Sequence, residues 1–530
     1  MRYPALIPIA LCLALAACGK SENATTQTSD ATPAAAPATP AATEPLAMVD
    51  GGMIRGSVAD GVVSYLGIPY AAPPVGDLRW MPPQPVAAWD GVRDATKYGS
   101  ECVQGVFGPP QPNAPVRGNE DCLFLNVWAP ADAAGKKLPV MLWVHGGAYV
   151  LGSGGQPMYE GTGFAKDNVI LVTINYRLGN LGFFAHPAID AGRSDADLGN
   201  YAFMDQRAAL KWVQNNIAAF GGDPGNVTLF GQSAGGSSVG FLMAMPSTKG
   251  LYQKVIMESG SIRSAVRPLK GKGSAEEMGV EMAKALGLEN ATAEQLRALP
   301  AGMVMGGAAG RFMPGPIMDG TEVKGPTYKE LADGDFNHTP IMLGANSYEV
   351  SIMRGAEKAV PGALGKNLDA AMKLYDGYDK GTAELKMKQI AGDIFIADGM
   401  RVYAESLAKA GVPTYAYFFN YVPSFQRATN PGTGHIMEIP FAFDTVSEAW
   451  AKQADDEDKA YAMKVHPYWV AFAKSSNPNG DDRPNWPQFD NDTKTMMYFG
   501  PLGPEAMPHL NEARWDFLES HDITSLNPGR

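Results

Sequence analysis

The chain has 530 residues, with 43 Lys and Arg against 55 Asp and Glu, a net charge of −12. Apolar residues make up 45% and charged residues 18%, too apolar for a disordered polymer and too weakly charged for an ion-paired coiled coil. The acidic balance, without any basic run, argues against nucleic acid as a partner.

Residues 1–18 read MRYPALIPIALCLALAAC. Arg2 gives a positive start and 5–16 an apolar core of signal-peptide length. Spanning a bilayer takes about 20 apolar residues, and Gly19, Lys20 and Ser21 end this run too early. Leu15-Ala16-Ala17-Cys18 resembles the lipobox of bacterial lipoproteins. The resemblance implies removal of 1–17, lipidation of Cys18 and attachment to a membrane, and Gly19 rather than Asp beside the cysteine permits sorting to the outer membrane. Cleavage at the small residues 14–16 is the competing expectation. In both cases the protein is exported, either periplasmic or an outer-membrane-anchored lipoprotein of a Gram-negative-type bacterium. The Ala, Thr, Pro and Ser of 18–46 cannot bury enough surface to offset ordering, so this stretch reads as a tether. Residues 47–530 then form one domain. Cys12 and Cys18 belong to the signal, leaving Cys102 and Cys122. In an oxidising compartment these most simply form a disulfide, with free thiols as the alternative.

Apolar runs at 139–144, 169–174, 227–230, 254–257, 340–343 and 414–419 read as buried strands. Helical spacing predicts helices over 205–220, 234–245, 391–409 and 461–473. The alternation argues for an α/β fold with a mostly parallel sheet covered on both faces. The segments 263–312 and 351–388 add helices over one end of it.

Gly231-Gln232-Ser233-Ala234-Gly235 sits between a short strand and a helix. A G-x-S-x-G in that context is a nucleophile elbow, whose strained turn projects the hydroxyl at a helix start. Serine needs a base beside it and donors for the oxyanion. His145-Gly146-Gly147-Ala148 follows a strand, and its turn can aim the Gly147 and Ala148 amides, with that of Ala234, at one point.

Residues 220–236 (FGGDPGNVTLFGQSAGG) resemble the serine signature of type-B carboxylesterases, the family of cholinesterases and bacterial para-nitrobenzyl esterases. Glu120-Asp121-Cys122-Leu123-Phe124-Leu125-Asn126 is similar to the second family signature, whose cysteine pairs with an upstream one. Residues 67–71, 79–80, 175–177 and 205–206 also look like family segments, and the likeness runs from about residue 48 to the C-terminus. It implies an α/β-hydrolase fold with helical insertions over the active-site end, and hydrolysis of carboxylic esters through an acyl-enzyme. Chain order in that fold is serine, acid, histidine. Residues 344–349 (GANSYE) resemble the family's acid motif, making Glu349 the acid, although Val350 replaces the usual glycine. Without the resemblance Asp319, Glu322 and Asp393 compete for the role. Residues 432–441 (GTGHIMEIPF) resemble the family's histidine loop, which selects His435; His466 reads as a core residue and His145 as part of the backbone turn.

This chemistry calls for no metal and no organic cofactor. The partners expected are a small-molecule ester and, through the anchor, a membrane; the sequence leaves the oligomeric state open. Gln232 stands where cholinesterases carry an acid, which disfavours choline esters. Together with Gln232, the residues Tyr149, Phe312, Met313, Phe425 and Met437 are candidates for the substrate pocket, with ordinary core packing as the alternative for these five. Two other activities compete: amide or carbamate hydrolysis by the same triad, and a non-catalytic binding protein of the same family.

Overall fold

Leu138–Val144 (LPVMLWV) shows why the central strands need cover on both sides. Val140, Leu142 and Val144 point into one core cluster, Met141 and Trp143 into another, and all five are fully buried. A run with no polar alternation suits a parallel strand sandwiched between helices.

The computed structural model describes residues 44–105, 116–193, 198–261, 263, 266–305, 314–353, 355–376 and 381–526. The signal, Cys18 and nearly all of the expected tether lie outside them. So do Phe312 and Met313. Among the described residues the main sheet has eleven strands. In chain order they are β1 (Ser57–Ala59), β2 (Val62–Pro69), β3 (Phe124–Pro130), β4 (Leu138–Val144), β5 (Ile170–Ile174) and β6 (Gly222–Gln232). There follow β7 (Lys254–Glu258), β8 (Ile341–Asn346), β9 (Thr414–Phe419), β10 (Met496–Gly500) and β11 (Gly503–Met507). The spatial order is β1-β2-β3-β5-β4-β6-β7-β8-β9-β10-β11. The strands from β5 to β10 pair in parallel, and both edges are antiparallel. This is the expected α/β-hydrolase fold.

Helices α1 (Tyr201–Asn216), α2 (Ala234–Ala244) and α3 (Asp398–Lys409) pack on one face, and α4 (Asp456–Ser475) on the other. The helical additions appear in the expected segments, as Ala275–Ala285, Ala293–Arg297 and Ala301–Met305, and later as Leu368–Leu374 and Ala383–Gly392, the last of which runs four residues past the expected limit of 388. The expected helix over 391–409 is divided: five residues, Asp393–Ala397, form a π-helical turn before α3. The ordered body also begins slightly earlier than expected. Glu44 pairs with Arg55, Pro45 accepts a hydrogen bond from the Gly56 amide, and Leu46–Val49 is already a strand of a separate small sheet. The sulfurs of Cys102 and Cys122 stand at bonding distance, 2.02 Å.

A buried ion pair ties the loop after β5 to α1. Arg177 donates from Nη2 to Asp205 Oδ1 at 2.7 Å and from Nε to Oδ2 at 2.8 Å. The Arg177 backbone amide also donates to Oδ2, at 3.0 Å. Burial raises the Asp205 carboxyl from its ordinary range against the pull of Arg177. Breaking one side of such a pair leaves a dry, uncompensated charge, at a cost of about 3–5 kcal/mol. Asp205→Ala is therefore expected to lower the free energy of urea unfolding by that amount. The double variant with Arg177→Met should recover part of the loss.

Candidate active site

The carboxyl ends of parallel strands all open at one edge, and in such sheets that edge is where sites form. β4 runs there into His145, β6 into Ser233, β7 into Ser259, and β8 into the loop carrying Glu349. The elbow is strained as expected: Ser233 has φ 59° and ψ −124° at the start of α2. Its amide donates to the Glu258 carbonyl at 2.9 Å, tying the elbow to the end of β7. The serine is half-buried.

The two loops bearing Glu349 and His435 are stitched together. Tyr348 N–H donates to the Thr433 carbonyl at 2.9 Å, and Thr433 N–H donates to Ser347 Oγ at 2.8 Å. Across this seam His435 Nδ1 lies 2.5 Å from Glu349 Oε2. The other Glu349 oxygen accepts from Ser259 Oγ and from the Asn346 amide, each at 2.6 Å. Ser351 Oγ accepts from the His435 amide at 2.8 Å. With the carboxylate acting as acceptor, Nδ1 must carry a proton, and Nε2 is left as the basic nitrogen. The Ser233 hydroxyl makes no hydrogen bond to the ring. The neighbouring Gln232 Nε2 lies 3.3 Å from His435 Nε2 and 3.5 Å from Nδ1.

Burial alone would lower the His435 imidazole, but the charge and hydrogen bond of Glu349, with a contribution from Glu438, carry it above the ordinary histidine value. Two further buried carboxyls lie close by. Burial and then the charge of Glu349 push Glu438 up to about 7, while Asn346 Nδ2 donates to it. Burial and Glu438 hold Glu258 well above the usual range, with Trp469 Nε1 donating to it at 2.8 Å.

The turn after β4 reaches the elbow itself. A Cβ on Gly146 would stand 3.0 Å from the Ser233 Cβ and 2.7 Å from the Gln232 carbonyl, so only glycine permits this approach. Gly147, Ala148 and Tyr149 then follow one another with φ 107°, 52° and 62°. Holding a residue other than glycine there costs about 1–2 kcal/mol. Successive amides in such a turn converge as an anion-binding concavity. The Gly147, Ala148 and Ala234 amides donate to no protein acceptor among the described residues.

The remaining sequence candidates separate clearly. Burial pushes His145 down to about 4, its Nδ1 donates to the Gly146 carbonyl at 2.8 Å, and its ring stacks on Tyr176. His466 is buried against Phe164 and bonds the Ala442 carbonyl at 2.7 Å. Asp319 accepts the amides of its own turn, Glu322 accepts from Ser247, and Asp393 accepts from Tyr375. Tyr149 is buried edge-on to Phe183 and Phe203. Phe425 and Met437 are half-buried on the His435 side, against the cluster that holds Phe441. Sequence reasoning missed Ser259, Ser351 and Glu438, and met Asn346 only as part of the acid motif. Only Ser259 left a trace, as a polar residue directly after a buried strand beside the elbow.

The carboxylesterase family model matches residues 43–518. The chain is 34% identical over 473 residues to the para-nitrobenzyl esterase of Bacillus subtilis (strain 168), covering 86% of this chain and 94% of that one. It is 33% identical over 471 residues to the fumonisin B1 esterase of Sphingopyxis macrogoltabida, covering 85% and 86%. Among solved structures, a PNB esterase aligns with a TM-score of 0.76 and 31% identity, over 90% of this chain and 99% of that one. The Geobacillus stearothermophilus carboxylesterase EST55 at pH 6.2 aligns with a TM-score of 0.76 and 33% identity, over 89% and 99%.

If Nε2 of His435 is the base, kcat/KM falls as the pH drops through the imidazole pKa, which here lies above 6.5. Glu349→Gln removes the charge that raises it and leaves the burial, so the acid limb moves to lower pH. With tautomer control lost, kcat falls by about 10⁴-fold. A pH–rate profile of both proteins reads the two effects.

Proposed function

The chain belongs to the carboxylesterase family and is a carboxylic ester hydrolase, and from that premise we propose that Ser233, His435 and Glu349 are its catalytic triad. The observation that carries this reading is the 2.5 Å contact between His435 Nδ1 and Glu349 Oε2, on a ring whose other nitrogen lies beside the elbow.

His435 Nε2 takes the Ser233 proton as the hydroxyl oxygen attacks the ester carbonyl. The carbonyl electron pair moves onto its oxygen, where the Gly147, Ala148 and Ala234 amides receive it. Glu349 stabilises the imidazolium formed and keeps the ring oriented. Collapse of the tetrahedral adduct expels the alkoxide, which leaves as the alcohol with the proton from His435. Water, deprotonated by the same nitrogen, then attacks the acyl-enzyme and releases the acid and free serine. Glu349 is held by Ser259 and the Asn346 amide, so it stays in place through both half-reactions.

The reading extends to the N-terminal part of the chain. Export, with lipidation at Cys18 and a tether over 18–46, accounts for the composition there. A disulfide between Cys102 and Cys122 suits an oxidising compartment, and the proximity of the two sulfurs supports it. The protein is then a periplasmic or outer-membrane-anchored enzyme with a small-molecule ester as substrate.

An organophosphate is expected to label Ser233 stoichiometrically, read by mass spectrometry, and Ser233→Ala to lose at least about 10³-fold in kcat. Matched short-chain ester, amide and carbamate substrates should rank with the ester first. Labelling with a palmitate analogue should mark the wild type and not Cys18→Ala; equal labelling of both removes the anchor.

A further inference from the structure

Away from the pocket, the chain gathers charges that the proposed reaction does not use. The C-terminal helix α5 (Glu512–Ser520) meets α3 there, and five carboxyls face three cations among the described residues. Asp398, the first residue of α3, is fully buried. Its Oδ2 accepts from Arg263 Nη1 at 3.0 Å and its Oδ1 from Arg401 Nη2 at 3.1 Å. Glu519, on α5, takes the other terminal nitrogen of Arg263, so both acids sit on one rigid fork. There the two side chains hydrogen-bond each other. Two ionised carboxylates cannot do so, because each only accepts; one of them must hold a proton. Burial, then the contact with Glu519, pushes Asp398 up to about 7. Against its own burial, the bond to Asp398 and the charges of Arg263 and Arg401 hold Glu519 low. The proton therefore belongs to Asp398, which donates to Glu519.

We propose that this shared proton is a pH-dependent clasp: it fastens α5 to the two segments that support Glu349, and its loss above neutral pH lets the helix open. Arg263 follows Ser259 closely on the segment leaving β7, and the Ser259 hydroxyl holds Glu349. Asp398 directly follows the π turn Asp393–Ala397. That turn begins after Gly392, where a Cβ would stand 3.6 Å from the Glu349 Cβ. Both supports thus run to the Asp398–Glu519 pair. The clasp is a property of the packing around Glu349 and holds whether or not Glu349 takes part in catalysis.

The neighbouring charges decide what loss of the proton does. Arg401 Nη1 also serves Glu405 at 2.6 Å and Asp516 at 3.0 Å. Lys494 reaches Glu512 at 2.9 Å, Glu405 at 3.3 Å and Asp516 at 3.6 Å. His509 Nδ1 lies 2.8 Å from Glu512 at the start of α5, and His521 Nδ1 lies 2.8 Å from the Phe517 carbonyl at its end. On the π turn, Asp393 is paired with Arg514 and accepts from Tyr375. With the proton in place, Asp398, Glu405, Glu512, Asp516 and Glu519 carry four negative charges against the three positive ones of Arg263, Arg401 and Lys494. Without it, a fifth negative charge appears on a dry side chain directly against Glu519. In the unfolded chain Asp398 titrates at its ordinary value of 3.8, well below its folded value. The bound proton therefore stabilises the folded state at low pH, and that gain is lost as the pH rises through about 7.

Hydrogen exchange of residues 512–520 in the whole protein, corrected for intrinsic rates, reads the clasp at about pH 6 and about pH 8. Wild type is expected to lose about tenfold in protection between the two, the fall that follows from one proton released near pH 7. Asp398→Asn keeps the shape of the side chain and donates to Glu519 at every pH. Glu519→Gln, at the half-buried partner, removes the charge that keeps the proton on Asp398. Each is expected to cut the fall to under about threefold. Replacing both histidines, His509→Gln with His521→Gln, is expected to leave the tenfold fall in place. A wild-type helix equally protected at both pH values overturns the proposal, and so does a tenfold fall that survives in both carboxyl variants. A fall that disappears with the histidines also overturns it. If Asp398→Asn folds poorly, the Glu519→Gln profile decides: the wild-type fall there marks Asp398 as an ordinary member of an ion-pair network and sinks the clasp.

Discussion

Everything at this site depends on the contact of one carboxylate with one imidazole, and that contact depends on a seam between two loops. Glu349 and His435 are far apart in sequence and sit on loops leaving different strands. They meet because Tyr348, Ser347 and Asn346 on one loop bond Thr433 and Gly434 on the other. A carboxylate this buried gains little from one hydrogen bond, since desolvation opposes it. What holds it is the surrounding set of backbone and hydroxyl donors, which satisfy the second carboxylate oxygen and fix both main chains.

Parallel pairing explains why so many functional groups share one edge. Every strand from β5 to β10 points the same way, so their following loops emerge together. Burial on both faces then holds these strands rigidly. The strained backbone at Ser233 and at Ala148 and Tyr149 persists because the cores under it leave no room to relax. Glu438 and Glu258 show the same dryness in another form, as carboxyls pushed toward their neutral state beside the charged Glu349.

The sequence was most readable where information is local. Thr414–Phe419 is a continuous apolar run and forms a strand at the expected residues. β2 escaped because Gly67 and Pro69 break its pattern, and its pairing with β3 slips in register between Tyr65 and Ile68. β11, with the sequence GPEAM, reads as a loop and is a strand only because β10 lies alongside it. The π turn over Asp393–Ala397 shares helical periodicity and leaves no mark in composition. At the site, the elbow was legible because strand, serine and helix are consecutive. Glu349 emerged only through family likeness, since nothing local distinguishes it from Asp319 or Asp393. Ser259 and Ser351 stayed hidden because each acts on a side chain or amide brought in by the fold.

The cradle of Gly147, Ala148 and Ala234 is built wholly from main-chain N–H groups. Apart from proline, a residue replacement cannot delete such a donor; it can only disturb the turn that aims it. Under the proposed assignment, charge stabilisation therefore resides on the peptide chain rather than on any side chain. An exchange of any side chain around such a cradle leaves its donors in place.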